Sequence, residues 1–225
     1  MEEMNDKFEE SIGVILKAWT SEERFSHKGK YWTFNDIVVE PPPFRKPHPA
    51  VWMGAGSDRS IQDVARRGFN LLLGQYAPPA DVAHDIAVFR AAVEAKGEAW
   101  DPMRVGVTRA CFVAESERER EEAQERRLHN RLRQLKLATT PDGVMLGGPD
   151  RASGDPNEIN LNSAIDGNPG QIAERLEDLH RAGVGYVPIN GGGSGGGERG
   201  LRSPRRFARE IMPAFTEITP ARAAE

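Results

Sequence analysis

The stretch VWMGAGSDRSIQDVARRGFNLLLG (51–74) decides the fold that the sequence predicts. Its first apolar run ends in small residues, and the segment after it predicts a helix that Ser57 caps and Gly68 closes. The second apolar run, FNLLLG (69–74), is continuous, as is typical of a strand buried on both faces. A strand, a helix and a second buried strand in this order predict a parallel α/β arrangement.

The same alternation continues towards the C-terminus. The β-branched run VGVTRACFVA (105–114) predicts a strand, and GYVPIN (185–190) predicts a short one. Helical spacing predicts helices over 80–97, 115–137, 170–183 and 203–215, the last with a proline in its first turn. The strand–helix units 51–68, 69–97, 105–137 and 185–215 are half of an eight-fold barrel. An open sheet of this size exposes two edges and one apolar face, so closing it needs more strands.

The N-terminal segment predicts a helix and then an irregular region. An apolar face repeats at helical spacing in Phe8, Ile12, Ile15, Leu16 and Trp19. This face indicates either an ordinary N-terminal helix or one that packs on structure supplied from elsewhere. Residues 24–50 contain aromatic residues beside a glycine, which suggests a short hairpin, and then a proline-rich extended stretch.

Composition excludes several classes of protein. The 225 residues carry a net charge of −4 (30 basic, 34 acidic), which argues against a general nucleic-acid binder in spite of the arginines in 199–209. One cysteine, Cys111, allows no internal disulfide and no multi-cysteine zinc site. No apolar run approaches the roughly 20 residues that cross a bilayer. We therefore expect a cytoplasmic protein with no membrane or nucleic-acid partner.

The strongest local site is the turn after the first buried strand, with Ala55, Gly56, Ser57 and Ser60. Small residues let a ligand approach the backbone, and the free N–H groups and dipole of the next helix favour an anion. Two interpretations stay open on the residues alone: an N-cap serine followed by a second serine in the first turn, or an anion-binding turn.

A resemblance to a known family rests on four blocks in order: FEESIGVILKAWTSEERFSHKGKYWTF (8–34), PHPAVWMGAGSDRSI (47–61), VTRACFVAES (107–116) and RRFAREIMPAF (205–215). Over nearly the whole chain, about residues 6–215, these blocks resemble the bacterial luciferase-like, flavin-dependent monooxygenases. The resemblance implies an α/β fold, a partial (β/α)8 TIM barrel of about four C-terminal βα units plus an N-terminal helix. It also implies that the N-terminal half of the barrel is absent from this sequence.

The resemblance carries functional expectations as well. It implies reduced FMN or a deazaflavin as cofactor, oxygen and a small organic molecule as substrates, a separate flavin reductase, and a homodimer. It places the flavin phosphate at Ala55, Gly56, Ser57 and Ser60, and leaves the catalytic residues unassigned. The alternative is a non-catalytic half-barrel that retains the phosphate site and needs a partner to complete the barrel.

Other features carry weaker expectations. Arg109 either faces a ligand or has a structural partner, and Cys111 is expected to be a small buried apolar residue. The histidines lack metal-ligand spacing, so no metal site is expected. We expect one domain over 1–225, a mobile loop insertion at 138–168 without regular structure, and a flexible rim at the glycine-rich 191–197.

Overall fold

The computed structural model describes residues 2–143, 155–191 and 197–215. The chain forms two compact units, Met1–Val51 and Trp52–Glu225, and each is described by itself. The expectation of a single domain over 1–225 stays a prediction.

The first unit is a helix with a β-hairpin. Helix α1 spans Glu2–Thr20, and strands β1 (Phe25–Lys28) and β2 (Thr33–Ile37) pair antiparallel. The predicted helix and hairpin are therefore confirmed. Phe8 and Ile15, on the apolar face of α1, are 44% and 41% exposed in this unit.

One carboxylate of α1 holds the hairpin. Glu10 accepts hydrogen bonds from the backbone N–H groups of Tyr31 (3.0 Å) and Trp32 (2.9 Å), and its Oε1 lies 3.0 Å from His27 Nε2. The hydrogen bond with His27, more than those from the amides, lowers the pKa of Glu10 below its ordinary value. Gly29 forms the turn because a Cβ there would overlap the Glu10 side chain.

The second unit alternates parallel strands with helices. Its strands are β3 (Trp52–Gly54), β4 (Asn70–Leu73), β5 (Val105–Val107), β6 (Arg109–Val113), β7 (Ala164–Gly167) and β8 (Ile189–Asn190). Its helices are α2 (Asp58–Arg66), α3 (Pro79–Ala95), α4 (Glu117–Leu137), α5 (Pro156–Asn162), α6 (Pro169–Arg181) and α7 (Gly197–Glu210), with short 3₁₀ turns at Pro102–Arg104 and Met212–Phe215.

The strands form two small parallel sheets. The first has the order β3-β4-β5 and the second has the order β7-β6-β8. The predicted strand 105–114 is divided at Thr108: its first half pairs with β4, and its second half pairs with β7 and β8. A parallel bridge between Gly106 and Tyr186 continues the pairing of this strand ahead of β8. Neither sheet closes on itself.

Both halves of this divided strand are buried. Leu71, Leu73, Val105 and Val107 are at most 1% exposed, and α2 and α3 contribute the largest buried side chains beside them, such as Phe89. In β6, Cys111 and Val113 pack in a cluster with side chains of β7, α6 and the C-terminal 3₁₀ turn, whose members are Ile165, Ile172 and Ile211. Phe112 and Ala114 point the other way and pack with Ala123 of α4. The β6 strand therefore has helices over both faces, as its continuous apolar run predicts.

Three expectations are corrected. The segment 138–168 was expected to lack regular structure, but α5 and β7 lie in it; their short lengths leave too few residues for a visible period. Strand 185–190 is shorter than predicted, since β8 covers Ile189–Asn190. Helix α7 begins at Gly197, so Pro204 lies inside it rather than in its first turn.

Two other expectations are not tested. The mobility of 138–168 stays a prediction, and most of the glycine-rich segment, 192–196, lies outside the described residues. Among the helices that the structure describes, none combines the length and the apolar character that crossing a membrane requires.

Candidate functional site

The turn between β3 and α2 brings the predicted site residues together. Strand β3 ends at Gly54, Ala55 and Gly56 follow, and Ser57 is the N-cap of α2 in an extended conformation (φ −126°, ψ 152°). Ser57 and Ser60 form a capping box, in which each side chain bonds to the backbone of the other residue. The predicted N-cap is therefore confirmed.

Several hydrogen-bonding groups converge in this turn. The Ser60 Oγ accepts hydrogen bonds from the backbone N–H of Gly56 (3.3 Å) and of Ser57 (3.0 Å), and it lies 2.9 Å from the Ser57 Oγ. The Ser57 Oγ in turn accepts from the Ser60 N–H at 3.3 Å. Two amides and a hydroxyl thus surround one oxygen atom, which is the arrangement that an oxygen of a bound anion would need.

This turn is open to solvent. Gly56, Ser57, Asp58 and Arg59 are exposed, and Ser60 is half-buried. Among the residues that the structure describes, none buries Gly56 or Ser57, so this backbone is accessible from solvent. Arg59 lies in the same first turn and adds positive charge beside it.

Asp58 is the one acidic group of this turn, and a second helix holds it. Its Oδ1 lies 3.0 Å from Nε2 of His84 on α3, and the ligating atoms of Asp58, His84 and the buried Asp85 lie within 4.8 Å of one another. Sequence spacing did not indicate this cluster, because its members come from two helices. The hydrogen bond between His84 and Asp58 accounts for the arrangement.

Arg109 has a structural environment. The side chain is 3% exposed, and its guanidinium donates hydrogen bonds to the carbonyl oxygens of Gln75 (2.9 Å) and Ala77 (2.9 Å), with longer ones to Gly74 and Thr108 (both 3.3 Å). Burial lowers the pKa of Arg109 to about 10. Arg109 therefore supplies donors to carbonyls of the segment that follows β4, where the chain leaves the sheet.

A second group of polar side chains was not found from the sequence. Arg127 of α4 forms a two-pronged ion pair with Asp166 of β7 (3.0 and 2.6 Å), and its Nε donates to the Asn160 Oδ1 at 2.7 Å. Burial raises the pKa of Asp166, and the charge of Arg127 opposes that shift. In the sequence, Arg127 is one charge among many on a helix, so nothing marks it as buried.

Arg127 also lines a cavity of about 290 Å³. Gln75 and Tyr76, which follow β4, line it, as do Arg131 of α4 and Asn190 at the end of β8. Ala110 at the start of β6 and Ser163 ahead of β7 line it too, so the cavity lies between the C-terminal ends of β4 and β8 and the N-terminal ends of β6 and β7.

Comparison with known proteins identifies the family of this chain. The family model for the luciferase-like monooxygenases matches residues 1–185. The chain belongs to this family. It is 29% identical over 111 residues to the FMNH2-dependent dimethylsulfone monooxygenase of Pseudomonas putida, an alignment that covers 49% of this chain and 29% of that protein.

Two solved structures have a similar fold. The monooxygenase RslO1 of Streptomyces bottropensis superposes with a TM-score of 0.75 at 21% identity, over 96% of this chain and 63% of that one. The coenzyme F420-dependent tetrahydromethanopterin reductase of Methanopyrus kandleri gives a TM-score of 0.62 at 15% identity, over 93% and 63%. The chain spans less than two thirds of each of these relatives.

With two open parallel sheets and these neighbours, the fold is a partial TIM barrel, as expected. The strand–helix alternation has one more step than the four predicted, since β7 precedes α6.

Proposed function

We propose that this chain is part of a flavin-dependent monooxygenase that uses reduced FMN and oxygen on a small organic substrate. Membership of the luciferase-like monooxygenase family supports the class of reaction. The observation that carries the proposal is the convergence of two backbone amides and two serine hydroxyls in the open turn before α2. Ala55, Gly56, Ser57 and Ser60 would hold the terminal phosphate of the cofactor there.

The residues of this turn fit a phosphate. The amides of Gly56 and Ser57 point at one oxygen position, and the dipole of α2 adds positive potential. The Ser60 hydroxyl donates to the Ser57 carbonyl oxygen at 2.8 Å. Rotation of the side chain about its Cα–Cβ bond would remove Oγ from that position and let the hydroxyl donate to the phosphate instead. Arg59 would offset part of the negative charge of the phosphate. The Asp58 carboxylate is held by a hydrogen bond with His84.

When bound, the reduced flavin supplies the electrons for activation of oxygen. The chain's own residues bind and orient the phosphate end. We propose FMN because the dimethylsulfone relative is described as FMNH2-dependent. A deazaflavin is the alternative, since another neighbour is F420-dependent and a phosphate site serves both cofactors. A separate reductase would supply the reduced flavin, and we propose a homodimer.

A flavin titration tests the site. The double variant Ser57→Ala/Ser60→Ala is expected to lose about 1–3 kcal/mol of FMN binding energy, a roughly 5- to 150-fold weaker affinity, because two hydroxyl partners of a charged group are removed. Quenching of flavin fluorescence measures the affinity, and inorganic phosphate should compete with FMN.

The matched control is Asn168→Ala. Asn168 caps α6 with a capping box like that of Ser57, so its loss costs a similar amount of helix stability, about 1 kcal/mol. It should leave FMN affinity unchanged. Equal affinity in the double serine variant and the wild type would remove the site assignment.

A non-catalytic half-barrel that needs a partner is the second candidate. Trp52 and Tyr186 favour it, because their rings lie 5.5 Å apart yet remain 36% and 51% exposed beside sheets that do not close. Oxygen consumption with FMN and a flavin reductase separates the candidates. Turnover above that of the reductase alone supports the enzyme. Flavin binding without turnover, with a concentration-dependent dimer in sedimentation, supports the half-barrel.

A further inference from the structure

The second unit leaves two strand edges exposed. Within residues 2–143, 155–191 and 197–215, no strand pairs with β3 on the side away from β4, or with β8 on the side away from β6. Both residues of β8 and two of the three in β3 are exposed, whereas β7, which also ends its sheet, is mostly buried. An exposed edge presents a row of backbone N–H and C=O groups, so it is a template for a further strand.

The backbone of the segment 186–190 shows which groups face outwards. The carbonyl oxygens of Tyr186 and Pro188 accept hydrogen bonds (both 3.0 Å) from the run 105–113. Successive residues of a strand direct their backbone groups to opposite sides, so those of Val187 and Ile189 point to the exposed edge. Pro188 lacks an N–H, but its backbone faces the paired side, so this proline does not block the edge.

Large side chains beside these edges remain in solvent. Trp52 and Tyr186 lie 5.5 Å apart on one face, 36% and 51% exposed, and Ile189 on the opposite face is 40% exposed. The Trp52 ring lies over Gly106, where an added Cβ would be 3.0 Å from it. Neither WMG (52–54) nor YVPIN (186–190) contains a charged residue, the usual protection of an edge strand. Both edges therefore have the character of a surface that another chain covers.

The order of the strands indicates what that chain is. Gly106 pairs with Leu72 on one side and with Tyr186 on the other, so the order across the sheet is β3, β4, the run 105–113 and the run 186–190. All of these neighbours are parallel, so both exposed edges run in the same direction. Four strands are half the number in a TIM barrel.

We propose that β3 of one copy pairs in parallel with β8 of a second copy, and that two copies close one eight-stranded barrel. A half-turn about an axis parallel to the strands keeps their direction and places each β3 beside the partner's β8. The two contacts are identical, and together they cover both edges of both copies. A single strand from another protein would cover one edge and leave the other exposed.

Closure also accounts for the exposed aromatic side chains. Trp52, Leu72 and Tyr186 lie on the face away from the buried side chains of β4 and β5, which α2 and α3 cover. In a small barrel, this inner face is filled by side chains from all strands. The second copy would bring the same three side chains to the opposite side of the interior. The proposal deepens the homodimer of the proposed function and rests on it only in that the partner is a second copy.

Sedimentation velocity of the wild type tests the closure. Over an about 100-fold range of concentration, we expect one reversible step from monomer to dimer, without larger species, because a closed barrel has no further edge. Ile189→Lys should weaken the dimer at least about 10-fold, since each contact gains a charge at the edge. The matched control is Leu137→Lys, 75% exposed at the end of α4, which should leave the equilibrium unchanged. A wild type that stays monomeric, one that grows beyond a dimer, or equal effects of the two lysines would overturn the proposal.

Disulfide trapping tests which strands meet. Met53, Val187 and Ile189 share the face opposite Trp52 and Tyr186, and neighbouring strands bring Cα atoms within disulfide range. Met53→Cys protein mixed with Ile189→Cys or with Val187→Cys protein should therefore form a covalent dimer. Each variant alone should not, because the half-turn places the two copies of one residue on opposite sides of the barrel. The wild type controls for the buried Cys111. No cross-link in either mixture, or equal cross-linking of each variant alone, would overturn the proposal.

The two proposals fail separately, because sedimentation and trapping are measured without flavin. FMN binding by a protein that does not trap β3 against β8 refutes this interface alone. Trapping in a protein that binds no FMN refutes the proposed function and leaves the interface in place. Urea denaturation of the cysteine variants shows that they are folded, and the wild-type sedimentation depends on none of them.

Discussion

Cys111 should be nearly unreactive in the folded protein, and its reaction with a thiol reagent measures how well α6 and the C-terminal turn cover β6. The side chain is 5% exposed and packs with Ile165, Ile172 and Ile211. Burial, with a smaller contribution from the nearby Asp166, raises the pKa of this thiol from 9.0 to about 12. As it is the chain's one cysteine, any thiol signal comes from this position.

The expected rate follows from that pKa. At pH 8 a thiol with the ordinary pKa is about 9% ionised and one with a pKa of about 12 is about 0.01% ionised, a difference of about 900-fold. The higher pKa makes the remaining thiolate about 20-fold more nucleophilic. Ionisation alone therefore predicts a reaction about 40-fold slower than in the unfolded chain, and steric cover slows it further.

The assay is the absorbance released by a disulfide reagent such as DTNB at pH 8, with native protein and with protein in 6 M guanidinium chloride. Ile211→Ala removes one wall of the cluster and should accelerate the native reaction. The matched control is Ile61→Ala, equally buried but on α2, which should destabilise the protein similarly and accelerate the reaction less. A native rate within 10-fold of the unfolded rate would refute the packing of β6 described above.

Three further changes test the fold through urea denaturation. Arg109→Met should lower the free energy of unfolding by roughly 1–3 kcal/mol, because the carbonyl oxygens of Gln75 and Ala77 lose their buried donor; Arg133→Met, an exposed change, should leave the midpoint unchanged. Gly185→Ala should lower the free energy of unfolding by about 1–3 kcal/mol, because the added Cβ would overlap the Pro102 carbonyl. A loss below about 1 kcal/mol would contradict that contact. Gly13→Ala has open space inside α1 and should stabilise the protein by about 0.5–1 kcal/mol; a destabilised variant would contradict the helix there.

Much of the secondary structure was predictable because its signals are local. The Ser57 N-cap, the continuous apolar run of β4 and the amphipathic pattern of α3 each depend on residues within a few positions of one another. The serine turn was also found in this way, since small residues between a strand and a helix mark it in the sequence. Its hydrogen bonds place the predicted residues together, although ligand binding there stays a proposal.

The short elements α5 and β7 were not predictable in the same way. Each is at most seven residues long, shorter than the window of about 11 residues in which helical periodicity is recognised, and the glycine and asparagine around them resemble loop composition. Their stability comes from tertiary contacts: β7 pairs with β6, and Asn160 of α5 bonds to Arg127.

The sequence alone thus determined the order and type of the longer helices and strands, the capped serine turn and the family resemblance, because these follow from short-range periodicity, capping and residue identity. Only the tertiary structure decided which strands are neighbours, why the run 105–114 serves two sheets, and that Arg109, Arg127 and Arg131 are buried. Strand pairing and burial depend on contacts between residues tens of positions apart, such as Arg127 and Asp166. The sequence by itself does not distinguish a buried arginine from an exposed one.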